Sequence, residues 1–254
     1  MKLYFKKIGV GEPLMIIHGL FGSSDNWGML GKKFADKFTV YLIDLRNHGR
    51  SPHDPTMNYE LMADDLHELI LDQGIENPVL LGHSMGGKAA LQFNEKYKNV
   101  LKKLIVADIG IKSYPMHHDV IIKGLKNVNL ESISSRKEAA ESLSEFVKEF
   151  GVQQFLLKNL YWIEKGKLAW RMNLDVIIQN IQEVLTEIKT KNNLTKTLFI
   201  RGELSNYILE EDINEISTAL PDSSVSTIKN VGHWLHAENP TSFYEIVTTF
   251  ISEG

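Results

Sequence analysis

The chain has 254 residues, 28 Lys+Arg against 32 Asp+Glu for a net charge of −4, 43 % hydrophobic residues and no cysteine. That length suits one large α/β domain or two small ones, and the apolar share supplies a core, which excludes wholesale disorder. Without cysteine there is no disulfide, thiolate zinc site, iron–sulfur ligation or Cys nucleophile. The mildly acidic balance argues against nucleic-acid or anionic-membrane partners, which need a basic surface.

The first seven residues, MKLYFKK, carry charge but no apolar stretch long enough for a secretory leader. No window reaches the ~18 uninterrupted apolar residues of a membrane-spanning helix. A cytoplasmic protein is expected.

In chain order, residues 14–18 read as a buried strand that runs into the Gly-rich turn 19–22. Residues 39–45 form a second strand, followed by the polar loop 46–55. Leu61, Met62, Leu66, Leu69 and Ile70 recur with a helical period across residues 59–71. A third strand is expected at 79–82, a helix at 85–97 and a fourth strand at 104–108. Strands alternating with helices indicate βαβ units and a parallel sheet.

The rhythm breaks after Gly110. Residues 111–194 carry a long helical pattern, clearest at 136–150, with few strand-like runs. Alternation resumes with a strand at 197–201, a helix near 210–220, a strand at 224–229 and a final helix. Asn239 as N-cap and Pro240 at the first helical position mark where that last helix starts. The chain therefore reads as one α/β core, 1–110 plus 195–254, interrupted by a helical insertion at 111–194. An insertion at the carboxyl edge of a parallel sheet lies where such folds bind ligands, which suits a lid.

Gly82-His83-Ser84-Met85-Gly86 is a G-x-S-x-G pentapeptide. A nucleophile on a sharp strand-to-helix turn leaves no room for a Cβ two residues to either side, so glycines flank it. The pattern arises by chance in very roughly one chain in ten of this size, at about 7 % each for Gly and Ser. What gives it weight is the strand before it and the helix after it. That helix points its positive N-terminus at the reaction centre.

A tetrahedral acyl-transfer intermediate needs two preorganised donors. The Met85 N–H, next to Ser84, is one. The other is expected from the loop His18-Gly19-Leu20-Phe21-Gly22: the Leu20 N–H, with Phe21 as runner-up. His18 would brace that loop. A general base should follow late in the chain, and His233, between the last strand and the capped helix, can reach back to Ser84. His236 is then structural. His117 and His118 are adjacent and unsuited to converge on one metal, so neither metal nor cofactor is expected.

HGLFG at 18–22, DLRNHGRS at 44–51, GHSMGG at 82–87 and GHWLHAENP at 232–240 together resemble the α/β-hydrolase superfamily. More narrowly, they are similar to the bacterial YbfF-type esterases. Asn58-Tyr59, QFLLK at 154–158 and WRMN at 170–173 extend that likeness into the insertion. The resemblance implies an α/β-hydrolase fold: a mostly parallel central sheet flanked by helices, with an inserted helical lid.

The triad acid is the harder assignment. Many members of the superfamily carry it three residues after the glycine ending the post-lid strand, which here is Ser205 and cannot serve. Glu203 is two positions early. Asp108 ends the preceding strand, keeps the order Ser, Asp, His, and matches the spacing of the YbfF-like branch. Asp108 is therefore expected as the acid, with Glu203 second. Its task is to accept the histidine Nδ1–H and set the ring tautomer. Asp44 also ends a strand but is expected to brace the 46–51 loop, through backbone or through Arg46.

The resulting expectation is a serine carboxylesterase or thioesterase with Ser84, His233 and Asp108 as triad and no cofactor. The resemblance implies small or medium acyl esters, extending to acyl-CoA, as the small-molecule substrate. Phe21, Trp27, Phe155 and Trp162 are the candidate pocket residues. C–C bond hydrolases or lyases of the same fold, and a non-catalytic ligand receptor, are the rival readings.

Overall fold

The computed structural model describes residues 1–191 and 193–253. Its strands are β1 (Phe5–Ile8), β2 (Glu12–Ile17), β3 (Phe38–Ile43), β4 (Val79–His83), β5 (Lys103–Ala107), β6 (Leu160–Glu164), β7 (Lys167–Trp170), β8 (Thr197–Gly202) and β9 (Ser223–Ile228). Among the described residues, seven of them form one sheet in the order β1-β3-β2-β4-β5-β8-β9. Only β1 runs antiparallel, against β3; every other pairing is parallel.

Period-two alternation builds a core on each face. Met15, Ile17, Leu80, Leu104 and Val106 face one side, where the helices Tyr59–Gln73 and Met85–Lys96 pack. Leu14, Ile16, Val79, Leu81 and Ile105 face the other, covered by the helices Gly28–Phe34 and Pro240–Ser252. Both faces of the central strands are buried, hence their nearly unbroken apolar sequences. The expected N-cap is present: the Asn239 side chain accepts from the Ser242 N–H, with Pro240 opening the helix.

Among the described residues, the buried apolar side chains of the segment between β5 and β8 join the cluster on the first face. Its buried residues Leu143, Val147, Leu156, Leu160 and Leu168 belong to the same apolar cluster as Met15 and Val106, so it shares the sheet's core. It also rests on the loops after β2 and β3: Asn159 Nδ2 donates to the Phe21 carbonyl at 2.6 Å, and the Asn173 N–H to the Asn47 carbonyl at 2.8 Å. The expected long helical pattern is corrected in two places. The run 136–150 divides into helices Arg136–Ser144 and Phe150–Leu157. Beyond it, β6 and β7 form an antiparallel hairpin joined at Lys165-Gly166, with Gly166 at φ +82°. Such two-residue turns favour residues tolerant of positive φ, and aromatic strand formers flank this one.

The two ends of the segment form a closed stem. The Tyr114 N–H donates to the Leu185 carbonyl at 2.9 Å, and the Ile188 N–H to the Ile111 carbonyl at 2.8 Å. Buried Lys88, from the helix after Ser84, adds its ammonium to the Lys112 carbonyl at 2.7 Å and to the Thr186 carbonyl. Burial lowers this ammonium to about 8.

Candidate active site

Ser84 sits where β4 turns into the helix Met85–Lys96, at φ +53° and ψ −120°. A serine held there stores roughly 1–3 kcal/mol of backbone strain, sustained by its surroundings. The flanking glycines have a steric basis. A Cβ on Gly82 would lie 2.1 Å from the Gly86 carbonyl oxygen, and one on Gly86 would lie 2.4 Å from that of His18. The Ser84 N–H is held by the Ala107 carbonyl of the neighbouring strand at 2.9 Å.

His233 bridges the other two expected residues. Its Nδ1 is 2.8 Å from Asp108 Oδ2 and its Nε2 is 3.1 Å from Ser84 Oγ. Asp108 directly follows β5, fully buried and at φ +52°. Its carboxylate also accepts the Gly202 N–H at 2.9 Å and the Ser205 hydroxyl. A carboxylate with no contact to solvent is thus satisfied at both oxygens. Because a carboxylate only accepts, Nδ1 carries the proton and Nε2 is free to receive one from Ser84. Glu203 instead accepts the Asn230 N–H at 2.9 Å, and Ser205 serves Asp108 rather than the histidine.

The loop bearing His233 is fixed by residues that sequence reasoning did not single out. Glu238 accepts the Gly232 N–H at 2.7 Å and the Trp234 N–H at 3.1 Å, one on each side of the histidine. His83 Nε2 donates to the His233 carbonyl at 2.9 Å. Burial, then the neighbouring imidazoles of His236 and His233, push the His83 ring well below the usual histidine range, so it stays neutral. Tyr207 stacks on His233 with centroids 4.0 Å apart and planes at 21°. A glutamate six residues beyond a glycine has no local signature, and Tyr207 is recognisable only from the tertiary fold.

On the opposite side of Ser84, Gly19 allows the β2 loop to approach: a Cβ there would be 2.9 Å from His83 Nδ1 and 3.3 Å from Ser84 Cβ. His18 and His48 shape this loop as neutral acceptors. His18 Nε2 takes the Leu45 N–H at 3.1 Å, while His48 Nε2 takes the Phe21 N–H at 3.3 Å. Phe21 is thereby committed. Among the described residues the Leu20 N–H and the Met85 N–H have no partner. Asp44 braces the adjoining loop by accepting the Ser24 N–H at 2.5 Å and the Arg50 N–H at 2.8 Å. Arg46 does not join it; its guanidinium pairs with buried Asp65 at 2.7 and 3.0 Å.

A cavity of 210 Å³ opens on Ser84 and His233, walled by Leu20, Phe21, His118, Phe155, Leu156 and Trp234. Of the four aromatics expected there, Phe21 and Phe155 line it. Trp27 and Trp162 do not. Trp27 is buried beneath the site, its indole stacked on His236 at 4.3 Å and 9° and in contact with Phe243. That stack gives His236 the structural place expected of it. Trp162 lies on the outlying hairpin, 46 % exposed.

Comparison with known proteins agrees with this architecture. A family model described as alpha/beta hydrolase fold matches residues 12–129. The sn-1-specific diacylglycerol lipase ABHD11 of Mus musculus is 36 % identical over 248 residues, covering 94 % of this chain and 80 % of that protein. Esterase YbfF of Escherichia coli (strain K12) is 33 % identical over 243 residues, 95 % of this chain and 94 % of the other. Among solved structures, a marine microorganism esterase is 43 % identical with a TM-score of 0.95, over 98 % of this chain and 99 % of that one.

Proposed function

Because this chain belongs to the α/β-hydrolase family and is one of its carboxylic ester hydrolases, we propose that it cleaves small and medium acyl esters through a Ser84–His233–Asp108 triad. The observation that carries this reading is the bridging imidazole, within hydrogen-bond reach of both Ser84 Oγ and Asp108 Oδ2. His233 takes the Ser84 proton as Oγ attacks the carbonyl carbon. The oxyanion is held by the Leu20 and Met85 amides, which no protein group occupies. Asp108 stabilises the imidazolium. Nε2 then protonates the departing alkoxide, the C–O bond breaks, and the acyl group remains on Ser84. Water enters, gives its proton to Nε2, and releases the acid.

At 210 Å³ the cavity lies below the usual range for small-molecule sites, about 300–1,000 Å³, which favours short acyl chains. Residues 111–194 act as the lid, placing Phe155 and Leu156 over the nucleophile. Coenzyme A thioesters present the same carbonyl to Ser84 and fall within the reading.

The test is hydrolysis of p-nitrophenyl acetate through dodecanoate beside an acyl-CoA series, with a fluorophosphonate probe and peptide mapping. Highest kcat/KM at short acyl chains and an adduct on Ser84 alone are expected. Folded protein that takes no adduct would overturn the triad, and inactivity on both series would overturn the substrate class.

A further inference from the structure

Resting on that ester-hydrolase reading, we propose that a second groove, against His233, receives the alcohol portion of the ester, and that His117 and Tyr207 set how large an alcohol it admits. This groove has a volume of 410 Å³ and is lined by Tyr114, Pro115, His117, Leu204, Asn206 and Tyr207, together with His233 itself.

An ester has two arms, and a cavity of 210 Å³ cannot hold both once either grows. Two neighbouring grooves offer the extra space. One, of 520 Å³, shares Val152, Phe155 and Trp234 with the cavity. The other shares His117, Tyr207 and His233. Of these two grooves, only the second is lined by the catalytic imidazole.

Proton transfer assigns the arms. Nε2 gives its proton to the oxygen of the leaving alcohol and later takes one from the water that replaces it. By microscopic reversibility the alcohol leaves along the route by which water attacks, on the imidazole side. The groove touching His233 therefore suits the alcohol, and the groove beyond Phe155 suits an extended acyl chain. The walls fit the assignment. Tyr114, Pro115 and Leu204 offer apolar surface, while Asn206 and His117 can bond a neutral hydroxylated group; no Lys, Arg, Asp or Glu lines the groove.

The partition between cavity and groove is a hydrogen-bonded pair. His117 Nδ1 lies 2.7 Å from the Pro115 carbonyl, which can only accept. Its Nε2 lies 2.5 Å from the Tyr207 hydroxyl, which closes the pair. The backbone of Tyr207 is pinned separately: its carbonyl accepts the Tyr114 hydroxyl at 2.6 Å and its N–H reaches Ser205 Oγ at 3.3 Å. His117 itself is exposed. The wall on the alcohol side is therefore a fixed tyrosine closed by one movable imidazole.

Two substrate series separate the arms: butyrate esters of methanol, ethanol, butanol and benzyl alcohol, and methyl esters of acetate through octanoate. His117→Ala should raise the ratio of kcat/KM for benzyl over methyl butyrate about tenfold, and Leu204→Trp should lower it about tenfold, the scale at which pocket fit discriminates. Leu204 is 67 % exposed, so the indole fills the groove without disturbing the core. The ranking of acyl chains should not move in either variant. An unchanged alcohol ratio in both variants, or a shift in the acyl ranking instead, overturns the assignment. Fluorophosphonate labelling of the unmodified protein separates the two levels. Absence of a Ser84 adduct defeats the hydrolase reading itself, whereas labelling with an unmoved alcohol ratio defeats the subsite alone.

Discussion

Asp108→Asn tests the proposed chemistry most directly, and the structure specifies how the amide must sit. One carboxylate oxygen accepts the Gly202 N–H at 2.9 Å; the other accepts His233 Nδ1–H at 2.8 Å and the Ser205 hydroxyl. An asparagine oxygen placed toward His233 would turn its NH₂ onto the Gly202 N–H, donor against donor in a buried site. The favoured orientation keeps the oxygen on Gly202 and turns the NH₂ toward His233, while the Ser205 hydroxyl rotates to accept. Nδ1 must then be the acceptor, the ring proton moves to Nε2, and Ser84 loses its base. A wrong tautomer of this kind costs about 10⁴-fold in kcat, or ~5.5 kcal/mol at ~1.4 kcal/mol per decade. Steady-state hydrolysis of p-nitrophenyl butyrate measures it. The rate of fluorophosphonate labelling at Ser84 should fall in parallel, because it needs the same base. An Asp108→Asn variant within tenfold of the parent would refute the reasoning, and so would an equal loss in Glu203→Gln.

Acid stability is a second test. Burial lowers His18 to about 4 and His48 and His236 to about 3. The unfolded chain takes up these protons near pH 6.5, so the contribution is complete above that pH and is lost as pH falls toward 3–4, by ~1.4 kcal/mol per pH unit for each histidine. Urea midpoints should therefore decline steadily from pH 7 to pH 5; a midpoint constant over that range contradicts the neutral-acceptor roles of His18 and His48. Trp27→Ala removes the indole stacked on His236 and should cost about 3–5 kcal/mol in denaturant unfolding. Its ranking of acyl chains should match the parent's, since Trp27 does not line the cavity, and an altered ranking would place it there after all.

The residues most legible in the sequence are those whose position follows from short-range rules. Ser84 and Asp108 each follow directly on a strand whose apolar run is visible, and Gly82 answers to a contact made four residues on, with Gly86. His233 lies between a recognisable strand and a capped helix. The cavity wall obeys no such rule. Phe155 and Trp27 look alike as isolated aromatics, and only the stacking of Trp27 on His236, more than 200 residues away in the chain, decides which one faces substrate. Strand β1 carries little signal of its own, because its four residues alternate only partly and include two lysines. The hairpin β6–β7 lies among helix-forming neighbours, and its signal is confined to Lys165-Gly166 at the turn and to Tyr161, Trp162 and Trp170 in its strands.

The stem held by Lys88 bears on how this family member can diversify. Its ammonium joins carbonyls from both ends of the inserted segment while its backbone belongs to the helix that Ser84 begins. Lys88 thus ties both ends of the span to the nucleophile's own helix, while the span between them rests on the loops after β2 and β3. Exposed residues within that span can change without altering where its two ends are anchored. Substrate range can drift there while the reacting atoms stay in place.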